Sequence, residues 1–189
     1  ELSHRIKNIF AVVASLITLS ARRDPNLRNF ATEMTDKIAA LGRAHEFVAP
    51  AGMVRENTLH GLLEQIFAPY TGENGMRIDV SGEDFAIQPR AATPLALVFH
   101  ELATNSAKYG VLSQDEGDLS VTISRPEQDT LRIVWHEPGV TRGEQEGEGF
   151  GSRLLRMSVE GQMQGSIDQS WTDDGLNVVL DLSLPMLRA

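Results

Sequence analysis

From residue 100 to residue 113 the chain reads His100-Glu-Leu-Ala-Thr-Asn-Ser-Ala-Lys-Tyr-Gly-Val-Leu-Ser113. Glu101, Asn105 and Lys108 recur at helical spacing, so an acid, an amide and a cation share one face of one helix. A carboxylate can receive a proton or orient water, an amide oxygen can ligate a hard metal ion, and an ammonium can neutralise phosphate. Those are the parts that a nucleoside triphosphate site needs. Leu95, Phe99, Leu102 and Ser106 form the opposite, mainly apolar face, as suits a helix packed on a sheet. Taken alone, the same pattern also fits a core helix with a solvated polar side.

Three further groups could do chemistry beside it. Trp135-His-Glu-Pro-Gly139 closes an alternating segment, and its carboxylate, Glu137, can accept a hydrogen bond from the amino group of a purine. Gly149-Phe-Gly-Ser-Arg-Leu-Leu155 places two glycines before an apolar helix, where backbone N–H groups can approach phosphate. His4, in Glu1-Leu-Ser-His-Arg-Ile-Lys-Asn8, sits at the rim of an apolar stripe. A neutral imidazole there is a nucleophile able to take a phosphoryl group. Each also has an ordinary structural explanation: a strand-end turn, a glycine entry to a helix, a surface histidine.

The elements that must position these groups fall into two modules. Residues 1–48 show two helical apolar patterns, Leu2, Ile6, Ile9, Val13, Leu16 and then Leu27, Phe30, Met34, Ile38, Leu41. Asp24-Pro25 separates them as cap and first helical residue, which predicts an antiparallel hairpin. One hairpin cannot bury both broad faces, so it is expected to pack on a second copy as a four-helix bundle, the first choice, or on a missing or adjacent domain. The texture changes at Ala49-Pro-Ala-Gly-Met53, and a second module is expected over residues 55–189. Its spacing predicts helices near 57–69, 90–109 and 150–163, and strands near 76–81, 118–125, 130–136, 165–171 and 176–184, with a short one at 84–88. Residues 138–149 read as a glycine- and acid-rich loop. The fold class is therefore α+β: a two-helix hairpin followed by a mixed sheet covered on one face by helices.

Composition narrows the function. The 189 residues carry a net charge of −9, which argues against general nucleic-acid binding. Against that balance, His4, Arg5, Lys7, Arg22 and Arg23 make the first segment basic, which suits a phosphate or an acidic partner. No apolar run is long enough to cross a membrane, so this segment is expected to make no membrane contact. The absence of cysteine fits a reducing cytoplasm and excludes thiolate metal sites. The chain opens on Glu1 rather than Met, so it reads as an excised piece of a longer protein whose sensor domain lies ahead of it.

In order and spacing, these four groups resemble the phosphoacceptor box, N box and two glycine boxes of the HWE sensor histidine kinases, with His100, Trp135 and Glu137 as the eponymous residues. The resemblance implies a dimerising phosphotransfer hairpin over 1–48 and an α/β sandwich ATP-binding domain of the gyrase, Hsp90 and histidine-kinase type. It implies ATP and magnesium, with Asn105 as the metal ligand and His100, Lys108 and Tyr109 near the nucleotide. Glu137 would take the adenine amino group. Gly139, Gly149, Phe150, Gly151, Ser152 and Leu154 would belong to the lid near 138–149 and the helix behind it. His4 would be the phosphoacceptor, Glu101 the candidate base and Arg5 a candidate stabiliser of the transferring phosphoryl group. A response-regulator receiver domain would be the next acceptor.

The chain departs from the pattern in places. Arg5 stands where an acid usually follows the phosphoacceptor, leaving Glu1 as the nearest local carboxylate. Asn8 could place a water for phosphatase chemistry. Gly139-Val-Thr replaces Gly-Gly-Pro, and Ser106 stands where alanine is usual. His60 and His136 read as structural or exposed. Two other functions keep the same fold: a phosphotransfer and docking module with little use for ATP, and a nucleotide-gated ATPase or serine kinase whose hairpin serves assembly.

Overall fold

A computed structural model describes residues 2–22, 24–48, 57–70, 77–114, 117–141 and 150–188, excluding the side chains of residues 2–5, 46–48, 77 and 150. Helices α1 (Leu2–Ala21) and α2 (Arg28–Val48) form the hairpin. The Asp24 side chain accepts from the Asn26 amide at 2.9 Å, and Pro25 opens a single 3-10 turn that redirects the chain. Ala31, Ala40 and Ala44 are buried along α2, and such small residues let neighbouring helices approach closely. The hairpin leaves an apolar stripe open: Ile9, Val12, Leu16, Leu19 and Phe30 are all exposed.

The rest folds around a five-stranded sheet of order β1-β2-β3-β5-β4, made of β1 (Arg77–Gly82), β2 (Asp118–Glu127), β3 (Thr130–Pro138), β4 (Ser166–Thr172) and β5 (Gly175–Ser183). β1 runs parallel to β2, and every other pairing is antiparallel. Alternation decides which face is covered. Leu119, Val121 and Ile123 on β2, Leu131, Ile133 and Trp135 on β3, and Val178, Leu180 and Leu182 on β5 are all buried. They meet α3 (Leu59–Phe67) and α4 (Pro89–Tyr109), where Phe67 packs edge-on to both Phe99 and Trp135. The Thr58 side chain caps α3 by accepting from the Gly61 amide.

Two elements differ from their expected form. The strand expected at 84–88 reduces to single bridges, Thr58 to Ala86 and Ile87 to Arg188, because Pro89 starts α4 at once. The helix expected over 150–163 is α5 (Phe150–Arg156) followed by a wider π turn at Met157–Gln162. A short α6 (Leu184–Leu187) closes the sheet edge near Gln88, whose amide donates to the Leu187 carbonyl.

Candidate functional site

Glu137 faces the core because β3 continues to Pro138, in phase with Leu131, Ile133 and Trp135. A carboxylate only 2% exposed must be satisfied from within. Three donors do so. The Trp135 indole N–H reaches Oε1 at 2.7 Å, while the Ser106 hydroxyl and the Val111 amide reach Oε2 at 2.7 and 2.9 Å. Gly110 makes room for this arrangement, since a Cβ there would collide with Oε2. The glycine is required for space: its φ of −110° suits any residue.

Next to this carboxylate opens a cavity of about 460 Å³. From α4 it is lined by His100, Glu101, Asn105, Lys108 and Tyr109, from α5 by Gly151 and Ser152. Gly151 lies against Glu101, and a Cβ on it would collide with Oε1 of that carboxylate. The sequence-predicted polar face and the second glycine of the pair are thus brought together. Leu155, and not Leu154, lines the cavity, because on α5 position 155 shares a face with Gly151. Gly139 also stands away from it: the residue is an exposed turn at φ +70° whose amide donates to the Asp174 carbonyl. Gly149 lies outside the described residues, as do the side chains of His4, Arg5 and Phe150.

The fourth wall comes from the hairpin. Glu33, Asp36 and Lys37 of α2, which packs against α4, also line the cavity. Lys37 pairs with Glu101 at 2.9 Å, and Glu33 pairs with Lys108 at 2.7 Å. The hydrogen bond between the second pair holds the Glu33 carboxyl below its usual range and lifts the Lys108 ammonium above its own. Sequence spacing alone could not assign these α2 charges a partner. It also missed Trp171 and Gln169 of β4, which line the cavity with Leu176 and Val178 of β5. Alternation within 167–171 carries that signal, since Ile167, Gln169 and Trp171 share one side.

His100 is 4% exposed, and its Nδ1 lies 3.3 Å from the Tyr70 hydroxyl. Burial, with lesser help from Arg43 and Lys37, lowers its pKa to about 4, so the ring is neutral. Burial also raises the Tyr70 phenol above its usual value. His136 contacts Asn177 Oδ1 at 3.0 Å away from the cavity, so it is structural. The His60 amide donates to Asp84 at the start of α3.

The sequence pattern of HWE histidine kinases matches residues 1–84. The chain is 33% identical over 187 residues to blue-light-activated histidine kinase 1 of Erythrobacter litoralis, covering 96% of this chain and 51% of that protein. The chain thus carries the HWE histidine-kinase pattern over residues 1–84 and is similar over nearly its whole length to histidine kinases. A blue-light-activated histidine kinase of Rhizobium johnstonii is 34% identical, over 98% of this chain and 52% of its own length. The chain therefore spans about half the length of these curated relatives. In fold it matches the histidine kinase domain of the Erythrobacter litoralis EL346 kinase, with a TM-score of 0.63, 20% identity, and 98% and 92% of the two chains covered. The catalytic domain of histidine kinase ThkA superposes with a TM-score of 0.53 at 14% identity, over 67% of this chain and 93% of its own. That match fits a histidine-kinase catalytic fold carried by the sheet and the helices packed on it.

Proposed function

We propose that this chain is the core of an ATP-dependent protein-histidine kinase of two-component signalling, with residues 1–48 as its phosphotransfer hairpin and 55–189 as its ATP-binding domain. The observation that carries this reading is a single cavity lined together by Glu137, Asn105, Lys108 and Gly151. Glu137, with donors on both oxygens, accepts the adenine amino group. Lys108 faces the phosphates, Gly151 lets backbone N–H groups approach them, and Tyr109 and Trp171 flank the nucleotide. The donor set at α4, an amide oxygen beside a carboxylate, fits magnesium, which Asn105 would hold and which supplies charge neutralisation for the phosphates when bound.

A nitrogen of the His4 ring attacks the γ-phosphorus, the bond to the bridging oxygen breaks, and ADP leaves. The proton on the other ring nitrogen is then lost, with Glu101 as the candidate base and Arg5 beside the transferring group. The phosphohistidine N–P bond is energetic enough to pass its phosphoryl group to an aspartate carboxylate of a receiver domain. The basic turn around Arg5 and Lys7 suits an acidic receiver, and the exposed stripe of α1 suits a second copy of the chain. No helix among the described residues is long and apolar enough to cross a membrane, which is compatible with action in the cytoplasm.

Incubation with γ-labelled ATP tests this directly. Acid-labile label is expected on the wild-type chain and on neither His4→Ala nor Asn105→Ala. Label that persists in His4→Ala would place the acceptor elsewhere.

A further inference from the structure

We propose that Ser106 is a positioning residue that sets the base preference of the cavity, by fixing which oxygen of Glu137 remains open to a ligand. The proposal rests on the reading of the cavity as an ATP site and adds the residue that makes it selective. An ionised carboxylate offers about four acceptor positions, two on each oxygen. On Glu137, Oε2 has both filled, by the Ser106 hydroxyl at 2.7 Å and the Val111 amide at 2.9 Å. Oε1 has one filled, by the Trp135 indole at 2.7 Å. One acceptor position is left, and it lies on Oε1.

The Ser106 hydroxyl is itself committed in direction. Its oxygen accepts from the Leu112 amide at 3.2 Å, which leaves its proton for Glu137. Ser106 is 1% exposed, so no bulk water competes for that proton. The hydroxyl therefore ties the carboxylate to the last turn of α4 and to the 3-10 turn at Val111–Ser113 together. Because Trp135 and Val111 approach from the sheet side and the turn, Ser106 is the donor that α4 itself contributes. A carboxylate pinned in this way demands an N–H from the ligand edge it meets. The 6-amino group of adenine supplies one. A 6-oxo purine bound in the same pose brings a carbonyl oxygen there instead, lone pair against lone pair, and its N–H sits one atom away on N1, where a carboxylate that cannot turn does not meet it.

Removing the hydroxyl frees one position on Oε2 and lets the carboxylate turn about its last bond. Discrimination between the two bases should then fall, while contacts to the triphosphate persist. Equilibrium binding of ATP and of inosine triphosphate, with magnesium present, separates these effects because the two ligands differ only on one edge of the base, at the 6-substituent and the proton on N1. The wild-type chain is expected to prefer ATP. In Ser106→Ala, ATP affinity should drop about tenfold, the scale of one hydrogen bond to a charged group, with affinity for inosine triphosphate unchanged. Ser106→Thr keeps the hydroxyl and should keep the preference. If the alanine variant does not fold, Ser106→Cys preserves the shape with a much weaker donor and should lose preference in the same direction.

Loss of affinity for both nucleotides alike would mark a merely structural role and overturn the proposal. So would an unchanged ratio in a folded alanine variant. A wild-type chain that binds neither nucleotide would instead remove the ATP reading itself.

Discussion

Two buried carboxylates line the cavity, and they are held differently. Glu137 is fixed by three short hydrogen bonds from an indole, a hydroxyl and a backbone amide, all within the sheet and the helix and turn packed on it. Glu101 is held by Lys37, a long side chain on the hairpin, with Gly151 beside it. Lys108, two turns along the same face, is likewise engaged by the hairpin through Glu33. Groups that recognise a base can be pre-organised once and left, since the base does not change during transfer. Glu101 and Lys108, the groups proposed to work at the phosphates, are instead engaged by side chains of α2, a helix of the hairpin. One carboxylate is thus held by the fold of the sheet domain itself, and the other by an ion pair with a separate helix.

The largest effect should come from displacing Glu137. Gly110→Val drives a branched side chain into the space of Glu137 Oε2, and ATP affinity is expected to fall more than ~100-fold, with stability lower by about 2–3 kcal/mol. Nucleotide titration and urea unfolding of the same preparation read both losses. A variant that bound ATP normally would mean that the carboxylate has slack that the short hydrogen bonds do not suggest.

At the other carboxylate, Lys37→Met should cost ~1–3 kcal/mol, because it leaves Glu101 buried with a counter-charge removed. The same variant should leave the preference for ATP over inosine triphosphate untouched, which distinguishes the two carboxylates. Urea midpoints and the nucleotide ratio check the pair of statements.

His100 sharpens the comparison through pH. Its folded pKa near 4 lies below the ordinary value of 6.5, so the unfolded chain binds the extra proton first as pH falls. Stability contributed by the neutral ring is complete above about pH 6.5 and drains away towards pH 4. Between pH 7 and pH 5 the loss is about 2 kcal/mol. His100→Gln should flatten that slope in unfolding curves recorded across the interval, and an unaltered slope would assign the effect to other groups.

The smallest effect concerns Glu33 and Lys108, both about half exposed at 45%. Glu33→Gln should change stability by less than about 1 kcal/mol, since exposed pairs are worth little. It should nonetheless tighten ATP binding by a few-fold, because Lys108 no longer has a competing carboxylate. The gain should shrink as salt is raised, since these charges are screened. Weaker ATP binding in this variant would show that Glu33 orients Lys108 for the nucleotide instead of competing for it.

The fold was largely readable from periodicity. Alternation on β2, β3 and β5 marks the covered face, and Asp24-Pro25 marks the hairpin turn. The polar face of α4 was readable too, because helical spacing fixes Glu101 and Lys108 on one side. What local pattern could not supply is what meets that face. Glu33 and Lys37 lie four apart on α2, a spacing that reads equally well as a solvated edge. Their role depends on α2 packing against α4, which is a long-range outcome. The end of β3 illustrates a boundary effect: the strand was expected to stop at residue 136. It continues because Glu137 and Pro138 pair with Leu176 and Gly175, and that extra step puts Glu137 within reach of the Trp135 indole. Ser106 stood out in the sequence only as a departure from alanine, and the partner of its hydroxyl appears only when it is seen against Glu137.

A crystal structure of the chain with magnesium and a non-hydrolysable ATP analogue tests the contrast between the two carboxylates most directly. The adenine amino group is expected on Oε1 of Glu137 with the three protein hydrogen bonds intact, and Lys108 is expected to have left Glu33 for the phosphates. A base bound away from Glu137, or a Glu33–Lys108 pair that persists while the phosphates lie elsewhere, would contradict the account.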